Sequence, residues 1–536
     1  MPERDPEGAT ARPSDNSLSA FAPLRSPVFR MLWLTWMAAN TTMWMNDVAA
    51  AWLMTSLAPS PLWVALVQSA GTLPVFLLGL PSGALADILD RRRYFMVTQF
   101  WVAAIATVLC VVILLDWMTA PLLLVLVFAN GVGLAMRWPV FAAIVPELVP
   151  RPQLPAALAL NGVAMNASRI IGPLVAGAII ASAGSAWVFV LNAVLSLAAG
   201  FTIMRWRRVH KESPLGRERL GSAIRVGVQF VWQSSRMRAV LLRIALFFLH
   251  STALLALLPL LARSLPGGAA GTFTVLLAAM GSGAIIAALQ MPRIRALLPL
   301  QRLLFTGTTV QAVAAAVVAF APNIYVAVPA MFFAGMAWIA VANSLTVAAQ
   351  MALPDWVRAR GMSIYQMALM GSTAAGAALW GQVANWTNIH ESLAIASVSS
   401  VVLMALAQRL VADRGIEEDL TPSHVFKVPQ AEAPPASGRI QVNIEYRIDP
   451  ARADEFLALM QESRRSRMRQ GALDWQVLRD LYDPARFVEQ ITDESWTEHL
   501  RRFDRVTAAD VQLRDRKGAF HIGEEPPLVT RLLIER

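Results

Sequence analysis

The chain reads as an all-α membrane protein of twelve transmembrane helices in two parallel six-helix bundles, with a small α+β domain after them. Three observations carry that reading. Of 536 residues, 56% are hydrophobic and 15% are charged, against about 45–50% and about 25% in soluble domains. Twelve apolar stretches have spanning length, and Lys and Arg gather in every second connection between them. A period-two and helical pattern replaces the apolar runs after residue 438.

A helix needs about 20 apolar residues to cross about 30 Å of hydrocarbon. Residues 1–27 are a polar, Pro-containing tail with no apolar h-region, so no cleavable signal peptide is expected. Spans follow at 28–54, 62–86, 94–116, 119–145, 156–182 and 185–205, the first bundle (28–205). A basic loop covers 206–238. The second bundle (239–412) has spans at 239–262, 272–291, 303–320, 323–347, 361–385 and 391–411. Residues 413–438, acidic and then Pro-rich, are a linker.

The positive charge sets the expected threading. Arg91, Arg92 and Arg93 follow the second span, Arg151 the fourth, Arg293, Arg295 and Arg302 the eighth, and Arg358 and Arg360 the tenth. Between the sixth and seventh spans come Arg205, Arg207, Arg208, Lys211, Arg217, Arg219, Arg225, Arg236 and Arg238, while alternate connections are nearly bare, Arg263 excepted. Short basic loops stay cytoplasmic, so both termini and the central loop are expected there. The net charge of +10 is thus accounted for by topology and by attraction to anionic lipid, without nucleic acid. The central loop is expected to hold an amphipathic helix at the membrane surface.

A shift of 204 residues superposes Gly131 on Gly335, Pro150 on Pro354, Gly172 on Gly376, Gly177 on Gly381 and Arg91 on Arg295. Two similar halves threaded the same way suit a substrate path between rocking bundles. Small residues on GPLVAGAIIASAG and GSTAAGAALWG let helix backbones approach closely.

The stretch GALADILDRRR, residues 83–93, resembles the cytoplasmic signature between the second and third spans of the major facilitator superfamily. Gly83, Asp87, Arg91 and Arg92 match; Ile88 stands where Arg is usual and Asp90 where Gly is usual. The resemblance implies a gate: Asp87 accepts from a helix N-terminus of the other half, with 361–385 as the expected partner. ASRIIGPLVAG looks like the antiporter signature through Gly172, Pro173 and Gly177, with Ser168 in place of the upstream Gly. That feature implies an exporter. WMNDVAAAWLM, AMRWPVFAAIVPELVPRPQLPAALALN and PDWVRARGMSIYQ are similar to the branch containing the enterobactin exporter and the transmembrane secretion effectors, over residues 20–415.

Ionisable residues inside spans are functional candidates because burying charge in lipid is costly. Asp47 is the first candidate for proton coupling and His250 the second. Asn40, Trp44, Asn46, Arg137, Trp138 and Arg169 are candidates for a substrate cavity; Asn46 and Asp47 also read as bonds between helices, and Arg137 as a partner of Glu147 or Asp87. Arg243, near the start of the seventh span, is expected to snorkel to the surface.

Residues 439–536 read as strand, helix, two strands, helix and strand, a ferredoxin-like order. The GALDWQV strand and the ESWTEHLRRFDR helix resemble the modules of antibiotic-biosynthesis monooxygenases. Trp475, Trp496 and His499 are its pocket candidates, but no metal-ligand spacing and no nucleophile–base pair stands out, so no catalytic residue is assigned. A binding, regulatory or dimerising role is favoured over an enzyme acting on the substrate. No GxxxxGK[ST] motif is present, which argues against ATP drive. The expectation is a proton-driven exporter of a siderophore or drug-like molecule in a bacterial inner membrane, with no cofactor beyond the proton gradient and no metal.

Overall fold

A computed structural model describes residues 21–58, 60–150, 153–206, 220–266, 270–354, 356–410, 419–423, 425–426, 429 and 437–535. The first half contains α1 (Pro27–Leu57), α2 (Pro61–Ile88), α3 (Arg91–Leu114), α4 (Ala120–Leu148), α5 (Leu154–Ala183) and α6 (Ser185–Arg205). A shorter helix, α7 (Leu220–Gln233), lies in the central loop. The second half contains α8 (Ser235–Ser264), α9 (Ala270–Leu297), α10 (Leu300–Ala319), α11 (Ile324–Met351), α12 (Arg358–Trp386) and α13 (Ile389–Leu410). Short connections make sequential neighbours antiparallel. The end at which α1 starts is called the near end, and the end at which it stops the far end.

Local chemistry places the helix ends. The Ser26 hydroxyl accepts from the Phe29 amide, with Pro27 at the first helical position. Asp90 caps α3 by accepting from the Arg93 amide at 2.8 Å. Gly184, at φ +93°, ends α5 and starts α6 in a conformation that side chains resist.

Ten of these helices, α2 to α6, α8 to α11 and α13, are long and apolar enough to cross a membrane by length and composition. The other two expected spans, α1 and α12, have 31 and 29 residues but fall short in apolarity. The reason lies in their polar residues: Asn40, Thr41, Thr42, Asn46 and Asp47 on α1, and Arg358, Arg360, Gln366, Ser372, Thr373 and Gln382 on α12. Helices facing a polar path on one side carry this mixture.

Toward the far end, one buried cluster draws on both halves, with Met54, Ala65, Ala176, Leu257, Phe273 and Trp380 among its members. A separate cluster, including Leu32, Trp36, Phe95, Phe141 and Ile203, fills the near end of the first half.

The glycines paired by the 204-residue shift occupy equivalent contacts. A Cβ on Gly131 would lie 2.7 Å from the Gly71 carbonyl, joining α4 to α2; one on Gly335 would strike the Met280 carbonyl, joining α11 to α9. Gly172 brings α5 onto α1, where a Cβ would lie 2.5 Å from Trp44 Cβ, and Gly376 brings α12 onto α8, where a Cβ would strike the Leu249 carbonyl. A Cβ on Gly177 would strike the Thr274 side chain of α9, and one on Gly381 would lie 2.5 Å from Ala65 Cβ on α2. The last pair crosses between halves reciprocally, as a repeat related by a two-fold axis requires.

Residues Leu215–Arg243, Leu345–Tyr365 and Ala407–Arg536 form a second compact unit. Its globular part runs β1 (Arg439–Arg447), α14 (Ala453–Arg469), β2 (Asp474–Arg479), β3 (Arg486–Asp493), α15 (Trp496–Asp504), α16 (Ala508–Gly518) and β4 (Leu528–Ile534). The sheet is antiparallel in the order β2-β3-β1-β4, with Ile440 opposite both Asp493 and Leu533. The single helix expected over residues 495–515 is two helices. Thr507 takes an extended conformation and closes a capping box with Asp510, so α16 starts afresh. Arg243 is 1% exposed and does not reach the surface as expected, because α8 is the most buried of the ten apolar helices.

Candidate functional site

Arg169 is a charged residue held by both halves. It sits near the middle of α5, and its guanidinium lies 4.3 Å from the Trp338 ring and 5.2 Å from the Trp44 ring. Trp44 is near the middle of α1 and Trp338 near the middle of α11. Aromatic faces attract a cation electrostatically, by about 0.5–2 kcal/mol each. Among the described residues no carboxylate pairs with Arg169. Close packing beneath it holds the geometry: the Thr41 hydroxyl donates to Ser168 Oγ at 3.0 Å and Ser168 donates to the Met37 carbonyl at 3.1 Å. Gly172 and Gly177 then press α5 onto α1 and α9. Pro173 lies inside α5, and the antiporter-like motif is therefore the packing surface that presents Arg169.

Asp47 lies on α1 one turn beyond Trp44 and ten residues short of Leu57, about 15 Å from the far end of the helix. No group among the described residues bonds its carboxylate. Its neighbour Asn46 is fully buried on the other side, accepting from Asn192 Nδ2 of α6 at 3.4 Å, with Ser196 donating to Asn192 at 3.2 Å.

Arg137, Trp138 and Asn40 gather nearer the near end. Arg137 Nη2 donates to the Ala39 carbonyl at 3.2 Å, and its guanidinium lies 5.5 Å from the Trp36 ring. Trp36 stacks on Phe141 at 3.9 Å and meets Trp138 edge-on at 6.0 Å. Asn40 donates to the Trp36 carbonyl at 2.8 Å. Arg137 is 1% exposed and belongs to the core of the first half. The side chains of Asp87 and Glu147, its expected partners, lie outside the described residues.

His250 stands apart from Asp47, inside the second half. Its Nδ1 lies 2.7 Å from the Leu246 carbonyl and its ring 5.5 Å from that of Trp380. It lines a cavity of about 10 Å³ with Ser251, Thr308, Gln311, Ser397 and Ser400.

At the near end of the first half, Gly83 and Asp87 occupy the last turns of α2, their side chains outside the described residues. Arg91 is half-buried at the start of α3. Arg92 donates to the Ile203 carbonyl at 3.3 Å and to that of Met204, neutralising the last carbonyls of α6. The departure from the signature at Asp90 is explained by its role as the α3 cap.

In the C-terminal domain, the pocket candidates are tied up. Trp475 donates to Glu489 at 2.9 Å, and Glu489 also receives Ser463 at 2.7 Å, Tyr446 at 3.2 Å and Lys517 at 3.0 Å. Burial alone would raise the Glu489 carboxyl, but Lys517 and Arg467 outweigh it and hold it well below its usual range. His499, 2% exposed, has Nδ1 2.7 Å from Asp493 and accepts from Arg531 at 3.1 Å. Burial lowers its proton affinity. Asp493 is opposed by burial yet held at about 2 by Arg502 and by its bonds to His499 and Arg502. Trp496 lies against the His499 ring. Among the described residues no cluster of metal-binding side chains occurs.

Sequence reasoning missed Trp338. Interfacial tryptophans gather near helix ends, so its place in the middle of α11, equidistant from both, was the available signal.

Comparison with known proteins adds three findings. The family model described as transmembrane secretion effector matches residues 18–536. The staphyloferrin A transporter of Staphylococcus aureus is 22% identical over 253 residues, 47% of this chain and 63% of that protein. Macrolide efflux protein A of Streptococcus pyogenes is 24% identical over 32% of this chain and 40% of its own length. The chain thus matches less than two thirds of either relative. Among solved structures, a POT family transporter in complex with a thioalcohol-conjugated peptide aligns at TM-score 0.59 and 11% identity, covering 72% of this chain and 97% of that one. An inward-facing, unoccupied bacterial homologue of the human lysosomal transporter Spinster aligns at 0.56 and 13%, covering 73% and 96%. Both likenesses concern the fold.

Proposed function

Since the chain belongs to the transmembrane secretion effector family of major facilitator transporters, we propose that it is a proton-coupled exporter of a small anionic or amphipathic molecule, a siderophore or a drug-like compound. Its transporter character and its multi-pass membrane placement follow from the family. Export, proton coupling and cargo class are the proposal. The observation that carries it is the Trp44–Arg169–Trp338 group, a cation between two indoles at mid-depth, drawn from both halves. An anion would find an uncommitted guanidinium there, and an aromatic or lipophilic group two flat faces. The relatives named for staphyloferrin A and macrolides support these two cargo classes.

Alternating access then means that the near and far ends open in turn. We assign the near end to the cytoplasm of a bacterial inner membrane, both termini included, from the basic connections there. All twelve long helices cross in this reading, with α1 and α12 lining the path. Asp47 takes up and releases the coupling proton, with His250 a weaker candidate because it lines a small cavity within the second half. The gate residues Gly83, Asp87, Arg91 and Arg92 close the cytoplasmic side.

The C-terminal domain is assigned the ferredoxin-like, monooxygenase-related form with a regulatory or dimerising role. Its edge strand β4 exposes Leu528 and Leu532 by 62% and 53%, and an unpaired apolar edge invites a second strand. A tethered enzyme is the weaker reading, because the ring nitrogens of His499 are both engaged.

The test uses everted vesicles with staphyloferrin A or a macrolide as probe under an imposed proton gradient. Wild type is expected to accumulate a probe and Asp47→Asn to lose gradient-driven accumulation. Accumulation of neither probe class sinks the cargo assignment, and full gradient-driven uptake by Asp47→Asn sinks the coupling role.

A further inference from the structure

We propose that the C-terminal domain is a releasable clamp on the α11–α12 turn, restraining the movement of the second half. The proposal rests on the transporter reading above.

The domain, α7 and the turn between α11 and α12 belong to one compact unit. Helix α7 is pinned to the domain by polar bonds. Arg225 Nη2 donates to Glu494 Oε2 at 2.7 Å and Ser222 Oγ donates to the same oxygen at 2.9 Å. Arg225 Nη1 also reaches the Gly471 carbonyl at 3.2 Å, and Gln229 Nε2 the Ala472 carbonyl at 3.2 Å. Gly471 has φ +107°, and a Cβ there would lie 2.8 Å from Val226, so the chain reversal after α14 and the seat of α7 are one feature. Trp356, in the α11–α12 turn, is held from both sides. The Phe230 ring of α7 meets it edge-on at 5.7 Å, and the Arg505 guanidinium lies 5.2 Å from its ring. Arg505 is fixed in turn by Glu498 at 2.9 Å and by the Gln470 carbonyl at 2.8 Å. At the start of α12, Arg360 Cβ would lie 2.9 Å from a Cβ on Gly227 of α7.

Two properties make this junction a clamp that can open. The Arg225–Glu494 pair is partly exposed, 27% and 35%, and such pairs contribute little once water competes. Moreover, Trp356 Nε1 and both polar atoms of the Gln470 amide are buried without a hydrogen-bond partner among the described residues. Water would satisfy those groups on release, so the closed junction carries a penalty that the open one lacks. The turn joins two rigid helices, one bearing Trp338 at its middle and the other the polar face of α12. Holding the turn slows the exchange of states; releasing it speeds the exchange.

The experiment combines charge reversal with two readouts on the full chain. Arg225→Glu and Glu494→Arg are each made alone and together. Hydrogen exchange is followed at residues 220–233 and 352–361, and initial uptake of staphyloferrin A and of a macrolide is followed in everted vesicles. Each single reversal is expected to speed exchange at the turn and raise the uptake rate severalfold with KM little changed. The double reversal is expected to bring both to within about twofold of wild type. Single reversals that leave exchange at the turn unchanged overturn the clamp. So does faster exchange with an unchanged or lower uptake rate, and so does failure of the double reversal to restore both. A wild-type chain that moves neither probe would instead fail at the transporter reading, and the rate claim would fall with it, while the exchange data alone decide whether the domain holds the turn.

Discussion

At the scale of single residues, the contrast between Arg137 and Arg169 is instructive. Both are membrane arginines next to tryptophans. Arg137 is committed to the Ala39 carbonyl and the aromatic core of one half, whereas Arg169 touches indoles from α1 and α11. Replacing Trp338 by Ala is therefore expected to weaken probe affinity roughly tenfold, the equivalent of about 1.4 kcal/mol, with expression unchanged; binding titration on purified protein checks it. Trp36→Ala is expected instead to lower thermal stability, because it removes the stacked partner of Phe141. In the C-terminal domain, Asp493 at about 2 against an ordinary 3.8 stabilises the folded state above pH about 4. That contribution, about 2–3 kcal/mol at most, drains away as pH falls through about 2. Hydrogen exchange over 486–504 between pH 5 and pH 2 is expected to show protection falling with acid, and Asp493→Asn to flatten that slope. Residue types were legible in the sequence; their commitments were not, since a guanidinium's partners come from helices about a hundred positions away or more.

At the scale of elements, most helices were visible because apolar runs of spanning length have few alternatives. Ends were placed by local chemistry such as the Asp90 cap, which the sequence reading saw only as a departure from a signature. The break between α15 and α16 was missed because apolar spacing continues through it while the Thr507–Asp510 capping box stops the helix. The glycine pairs have the clearest consequence. Gly376→Val would drive a side chain into the Leu249 carbonyl, and a backbone atom cannot swing aside. We expect a loss of about 1–3 kcal/mol and a melting temperature several degrees lower. Gly162→Ala, with open space around it, is expected to leave melting unchanged.

At the scale of the whole molecule, the far end is bound by an apolar cluster drawn from both halves, whereas the C-terminal domain meets α7 through polar bonds and the α11–α12 turn through the Arg505 guanidinium over the Trp356 ring. Under alternating access the first has to part when the far end opens, and under the clamp proposal the second has to part when the domain lets go of the turn. The exposed edge of β4 points to association of copies. In a Cys110→Ser background, Leu532→Cys is expected to cross-link into dimers under mild oxidation, and a purely monomeric outcome would remove the dimerising role.

Composition and periodicity alone determined that this chain spans a membrane, that it repeats after 204 residues, and that an α+β unit follows, because those properties are sums over many residues and survive local exceptions. Close contacts were decided only by the tertiary structure. No local pattern says that Trp338 will face Arg169, that Arg225 will find Glu494, or that His250 will line a cavity with Thr308 and Gln311. Such pairings depend on helix rotation and register, where a turn of 100° per residue separates a group in the path from one in the core.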